Sequence, residues 1–477
     1  MSTAAVQTPA TDDFGWLGIV RLGLVQAALG AMVVLSTSTL NRVMVVELGL
    51  PALLPGLLVA LHYAVQVLRP RMGFGSDVGG RRTPWIVGGL AVLALAGVGA
   101  AAGTAWMETA RGPGIALAVL SFVLIGVGVS ASGTSLLVLL AKRVPAPRRA
   151  AAATIVWMMM IFGFAFTAGV AGGLLDPYSP ARLVAVMAGV CGTAFVLAVL
   201  VLRGLEGRGP GDAAAAAAAE PQKVQFRQAL AEVWAEPAAR LFTVFIFVSM
   251  LAFSAQDLIL EPFAGIVFNL TPGQTTQLSG IQHAGVLAGM ILVALAGSGL
   301  AGQRLGSLRT WAVGGCIVSA LALGGLVLAG MVGPGWPLLT NVFLLGAANG
   351  AFSIAAIGTM MRLASEGRQR REGVRMGLWG AAQAVAFGLG GLVGTGASDL
   401  ARWALGDPAV AYASVFGAEA LLFLVAAMLA LRVDRVAGLR HPGQLAAAPS
   451  PAPADTTMLP AGPSPSPLTR PEPAAAR

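Results

Sequence analysis

Two histidines occupy matching places in the chain. His62 and His283 each lie eleven residues past a proline, Pro51 and Pro272, that opens an apolar run. At 1.5 Å per helical residue, both rings would sit about 16 Å along their helices. Neutral imidazole is a common metal ligand. The competing role is helix packing, by hydrogen bonds to a neighbour such as Gln66 or Gln282. The third histidine, His441, falls in the tail. Charged side chains also stand among apolar ones. Arg42 comes 21 residues after Arg21, and Glu261 comes 21 after Arg240. Both would therefore lie about 30 Å up their helices. Asp257 is one turn short of Glu261, and Glu419 stands alone in the last apolar run. Charges in such surroundings are costly and usually serve a function. For Glu419 two roles are open, a contact with a neighbouring helix or partner protein, and protonation.

The elements that position these groups are membrane-spanning helices. The chain of 477 residues is 56% hydrophobic and 11% charged, with a mean hydropathy of +0.79, which points to a polytopic membrane protein. Twelve apolar runs can cross a bilayer: 20–48, 51–69, 84–105, 114–141, 150–174, 181–203, 238–268, 273–300, 307–332, 336–361, 373–398 and 409–432. The 63 glycines suit closely packed helices. Net charge is +9, but the basic residues sit in short loops and not in one patch, which argues topology and not nucleic acid. Alternate loops hold 20 of the 30 Lys and Arg, and the others hold only Arg111, Arg182 and Arg402. The basic side is expected to be cytoplasmic, with both termini on it, in a bacterial inner membrane. The polar start lacks a basic n-region, so the first helix is expected to be retained. Cys191 and Cys316 lie in different runs, against a disulfide framework or a thiolate metal site.

The chain divides into a cytoplasmic segment 1–19, a six-helix bundle 20–203, a linker 204–237, a second bundle 238–432 and a disordered tail 433–477. The linker ends in an amphipathic stretch with Phe226, Leu230, Val233 and Trp234 on one face, suited to the membrane surface. The bundles echo each other. "RTPWIVGG" (Arg82–Gly89) opens the third run and "RTWAVGG" (Arg309–Gly315) the ninth. Arg148-Arg149 precedes Trp157 as Arg370-Arg371 precedes Trp379. Asp176 and Arg182 close the fifth run as Asp399 and Arg402 close the eleventh. Such a parallel six-plus-six repeat is the layout of the major facilitator superfamily. The loop "GFGSDVGGRR" resembles that superfamily's motif at Gly73, Asp77, Gly80, Arg81 and Arg82. The resemblance implies that Asp77 caps and pairs with helix ends on the cytoplasmic side. Val78 stands where the superfamily often has a basic residue, and "GLAGQRLG" in the second half has no Asp. In this fold the first and seventh helices face each other, so Arg42 is expected to pair with Glu261 or Asp257 across the halves. The competing partner is Glu47, at i+5 and off the i+4 neighbour position, or snorkelling to the interface. "GFAFTAGVAGG" (Gly163–Gly173) and "GLGGLVGTG" (Gly388–Gly396) have small-xxx-small spacing for packing between halves.

"LVQAALGAMVVLSTSTLNRVMVVELGLP" followed by "RPRMGFGSDVGGRRTPW" resembles the PucC/LhaA family, also called the bacteriochlorophyll delivery family. The resemblance is specific over residues 20–90 and extends over the twelve runs. Antenna-assembly members carry a longer insertion after "SD", so the shorter loop points towards the member labelled a bacteriochlorophyll synthase chain. The family implies delivery of (bacterio)chlorophyll for assembly of light-harvesting or reaction-centre complexes, with the synthase and apoproteins as partners. It gives His62 and His283 a role as axial ligands to a chlorin magnesium carried as cargo, with no permanent cofactor. Two other functions remain: a proton-coupled transporter of a small hydrophobic solute using Asp257 or Glu261, and an assembly chaperone that binds no pigment. An enzyme is not expected. A prenyltransferase needs aspartate clusters for Mg²⁺ and pyrophosphate, and the ten aspartates are scattered. No zincin, P-loop, nucleophile-elbow or Rossmann pattern is present.

Overall fold

The computed structural model describes residues 14–66, 81–145, 148–206, 226–297, 307–366 and 372–438. Helices account for almost all of them, and no strand occurs among the described residues. The first half contains α1 (Trp16–Thr37), α2 (Leu53–Val65), α3 (Thr83–Trp106), α4 (Arg111–Arg143), α5 (Arg149–Leu175) and α6 (Pro180–Leu202). The second contains α7 (Pro237–Val267), α8 (Pro272–Gly297), α9 (Leu308–Val332), α10 (Leu338–Glu366), α11 (Glu372–Leu405) and α12 (Pro408–Gly438). Eleven helices among the described residues are long and apolar enough to span a membrane. The second of the twelve expected runs, 51–69, is described only to Gln66, so α2 shows 13 residues.

Local signals set the boundaries. Proline stands in the first turn of α3, α6, α7, α8 and α12, where its missing N–H leaves no helical bond unmade. Ser179 and Ser307 cap α6 and α9 by accepting the N–H of Arg182 (3.1 Å) and Thr310 (3.3 Å). α1 does not stop at Thr37. A short helix, Thr39–Arg42, continues it into one π-helical stretch, Val43–Glu47.

The helices pack in corresponding sets. α1 packs on α5 and α6 as α7 packs on α11 and α12; α3 meets α4 and α6 as α9 meets α10 and α12. α2 lies on α4 as α8 lies on α10. Apart from Leu258, one large core is built wholly from the first half, and a second wholly from the second half. The linker helix Phe226–Ala235 differs from a membrane-surface helix in one respect. Val233 is 1% exposed and joins the second core, while Trp234 stays exposed.

Two seams join the halves, α2 against α11 and α5 against α8. The glycine-rich runs serve these seams and the internal packing alike. A Cβ at Gly280 would stand 2.9 Å from the Gly169 nitrogen, so α5 and α8 touch backbone to backbone. Gly163 instead presses on Ala27 of its own half, and Gly390 and Gly394 on α7. The purely inter-half role expected of both runs is thus shared with same-half contacts.

Candidate functional site

The halves are stitched at the end of the bundle away from Trp16. Asp176, at the end of α5, accepts from the Thr271 hydroxyl (2.5 Å) and the Gly273 N–H (3.2 Å), capping α8 of the other half. Asp399, on α11, accepts the N–H groups of Ala52 (3.0 Å) and Leu53 (2.8 Å), capping α2 of the first half. A carboxylate at a helix N-terminus meets unpaired N–H groups and the positive end of the helix dipole. The repeat therefore places one such cap in each direction across the seams. The sequence showed both aspartates as repeat markers; their partners depend on which helices the fold brings together.

The segment after α1 adds three more bonds. Thr39 shares a hydroxyl hydrogen bond with Thr276 (2.9 Å), Arg42 donates to the Leu270 carbonyl (2.8 Å), and Asn41 donates to the Leu258 carbonyl (2.5 Å). The Leu258 carbonyl is open for a clear reason. Its helical donor would be the N–H of residue 262, and residue 262 is a proline inside α7. Asn41 was not singled out from sequence, although the interior proline of α7 was a readable signal.

Arg42 itself corrects an expectation. Its salt bridge is to Glu47, not to Glu261 or Asp257. The π turn explains this. Leu48 donates to the Val43 carbonyl five residues back, so the widened turn brings an i+5 residue onto the face where i+4 would lie in an α-helix. Glu261 is 2% exposed, and its carboxyl oxygens have no hydrogen-bond partner among the described residues. Arg42 thus holds the other half through a carbonyl and not through a carboxylate.

The two histidines are equivalent in sequence and different in structure. His62 is 2% exposed, and its Nε2 lies 2.9 Å from the amide nitrogen of Gln66. An amide nitrogen only donates, so that ring nitrogen accepts. His283 lies partly buried at the α5/α8 seam, and its Nδ1 is 2.8 Å from the Ser279 carbonyl. A carbonyl only accepts, so Nδ1 carries a proton, and in the neutral ring Nε2 keeps a lone pair that no described residue uses. Phe164 of the other half meets this ring edge-on, with centroids 5.1 Å apart. The second seam is aromatic too: Tyr63 of α2 packs on Phe387 of α11 at 5.5 Å, and Phe387 on Phe253 of α7 at 5.8 Å.

Asp257 accepts from the Gln282 amide at 2.9 Å. Glu419, alone in the last apolar run, is 3% exposed and sits inside the second half, among neighbouring helices. Of the loop motif, Gly73, Asp77 and Gly80 lie outside the described residues. Arg81 is exposed, and Arg82 is buried 4.0 Å from Glu206. Glu206 accepts the N–H groups of Arg82 and Thr83, the latter at 2.8 Å, and so caps α3. Burial pushes the Glu206 carboxyl up, but the bonds from Thr83 and Arg82 and the Arg82 charge outweigh it and hold it below the usual glutamate value. No group of three or more metal-ligating side chains occurs among the described residues.

Residues 39–437 match the family described as "PUCC protein". The chain belongs to this family. Within it, a protein of Rhodobacter capsulatus named "Bacteriochlorophyll synthase 44.5 kDa chain" is 55% identical over 424 residues, covering 89% of this chain and 97% of the relative. "Protein PucC" of the same organism is 30% identical over 444 residues, covering 88% and 93%. The resemblance carried by the first two runs and their loop is borne out. Among solved structures, a D-xylose-proton symporter superposes with a TM-score of 0.67 at 14% identity, covering 87% of this family member and 97% of the symporter. A bacterial homologue of the lysosomal transporter Spinster gives 0.63, also at 14% identity, over 88% and 96%. These neighbours establish the major facilitator fold.

Proposed function

We propose that this membrane protein acts in the photosynthetic pigment pathway, binding (bacterio)chlorophyll or a late precursor and handing it over for assembly of light-harvesting or reaction-centre complexes. The observation that carries the reading is His283. It is an imidazole whose Nδ1–Ser279 bond fixes the tautomer that leaves Nε2 open in the neutral ring, on the seam between halves, in a chain whose 55% identical relative is named "Bacteriochlorophyll synthase 44.5 kDa chain". Such a nitrogen can take the axial position on a chlorin magnesium, oriented by the second bond of the ring. Phe164 offers an aromatic edge beside it. His62 is the lesser candidate, because its Nε2 already accepts from Gln66.

The protein works in this reading as a carrier and not as an enzyme. Its partners are the bilayer, the pigment, the pigment synthase and the apoproteins that receive the cargo. The Lys and Arg of alternate loops support cytoplasmic termini, which in this reading makes the acid-capped end periplasmic. Purification of the full chain from a phototroph tests this. Co-purifying chlorin absorbance is expected. Antenna polypeptides without chlorin would make it a pigment-free chaperone, and proton-driven uptake of a small solute into vesicles would make it a conventional transporter.

A further inference from the structure

Glu419 is an enclosed carboxyl of the second half. It is 3% exposed, and neither carboxyl oxygen has a hydrogen-bond partner among the described residues. It sits midway along α12 between two aromatic layers. On one side, Phe416, one turn before it, packs edge-on against Phe263 of α7 at 5.1 Å. On the other, Phe423, one turn after it, packs against Phe352 of α10 at 5.6 Å, and Phe352 reaches Phe253 of α7 at 6.5 Å.

These rings fix the level of the groups between them. α10 and α12 run in the same direction, and α7 runs against both. One turn from Phe352 is Asn349, and one turn from Phe253 is Asp257, each displaced towards the same side as Glu419. Asp257, Asn349 and Glu419 therefore share one layer. Asn349 is fully buried and accepts from Ser319 at 2.8 Å, while its Nδ2 donor is unused. Asp257 keeps some exposure, and one of its oxygens accepts from Gln282.

The elements packed on α12 are α7, α9 and α11, and α10 meets it through Phe352. Their titratable groups among the described residues are Arg240, Asp257 and Glu261 on α7, Arg309 and Cys316 on α9, Arg362 near the far end of α10, and Arg375, Asp399 and Arg402 on α11. α12 adds Tyr412, Arg432 and Arg435. Of all these, Asp257 is the one that the ring layers set level with Glu419. The layer thus has two carboxyls and no cation. Two uncompensated negative charges in an apolar interior are prohibitively costly.

We infer that Glu419 and Asp257 form a proton-binding pair inside the second half, with Asp257 as the exchanging member and Glu419 as the enclosed one. A proton suits the layer better than a metal cation, which needs several oxygens around it. Neither Glu419 oxygen has a protein partner among the described residues, and a proton neutralises the carboxyl without the cage of oxygens a metal ion needs. The site is independent of pigment, and it gives the second half two charge states that loading or release of any cargo can be coupled to.

Infrared difference spectroscopy on the pigment-free full chain in nanodiscs tests this. A protonated-carboxyl stretching band that responds to pH and shifts in deuterium oxide is expected in the wild type. Glu419→Gln should remove it, and Asp257→Asn should change its pH response. If Glu419→Gln does not fold, Glu419→Asp should move the band. An unchanged band in the Glu419 variant that folds overturns the inference. So does a wild-type band that vanishes when sodium replaces choline, since that would make the layer a cation site.

Discussion

Asn41 of the first half donates to the carbonyl of Leu258 in the second at 2.5 Å, and it does so because Pro262 has withdrawn the helical donor. A helix defect on one side of the seam is completed by a side chain from the other. Removing Asn41 leaves a buried carbonyl unpaired, so Asn41→Ala should cost about 1–3 kcal/mol. Pro262→Ala restores the N–H that α7 lacks. In that background Asn41→Ala should cost much less. Thermal unfolding of the four proteins in one detergent, read as a double-mutant cycle, measures the coupling. Equal costs in both backgrounds would count against the relationship.

The reciprocal caps make a second prediction. Asp176→Ala and Asp399→Ala should each lower stability by about 1 kcal/mol, the usual worth of a helix cap. Each should also loosen its own seam, α5/α8 for Asp176 and α2/α11 for Asp399. Single cysteines placed at Thr271 and at Ala52 should label faster in the corresponding variant. Labelling that rises equally at both sites in either variant would mean that the caps act as one latch.

Acid should release α3 from the start of the linker. The Glu206 carboxyl is held below its unfolded value by the bonds it accepts, so its contribution is present above the ordinary glutamate range near 4.5 and is lost as pH falls below it. Hydrogen exchange at the Arg82 and Thr83 amides should therefore gain protection-loss on acidification beyond the intrinsic pH effect. Glu206→Gln should be less protected at neutral pH and should show a flatter profile. A wild-type profile identical to that of the glutamine variant would remove Glu206 as the cause.

The two histidines should separate in pigment binding. His283→Ala should cut the chlorin retained through purification by about tenfold or more, the scale of losing a metal ligand or its support. His62→Ala should leave most of it. Ser279 supplies its carbonyl from the backbone, so Ser279→Ala should keep the ring oriented and the pigment bound. Absorbance per mole of purified protein is the measurement.

Much of this protein is written in its sequence. Hydrophobic runs, sparse charge and the placement of Arg and Lys are local properties, and they declare a multi-pass membrane chain. The echoes at Arg82 and Arg309, at Trp157 and Trp379, and at Asp176 and Asp399 declare the repeat, and the "TLNRVMVVEL" region with its loop declares the family. Helix depth, counted at a constant rise per residue, correctly set Arg42 and Glu261 at one end.

Side-chain partners were readable only as alternatives, because the choice among them depends on geometry that departs from the regular helix. Depth matching favoured Arg42 with Glu261, yet a π turn swings Glu47 round to take it. His62 and His283 have the same offset from a proline, but Gln66 occupies one and a backbone carbonyl orients the other. Glu419 was a lone acid in the last apolar run until the ring layers on either side set it level with Asp257. Periodicity and composition determine which segments cross the membrane and how they repeat. Tertiary structure decides which polar groups meet, because in an apolar interior each must find its partner across helices that are distant in the chain.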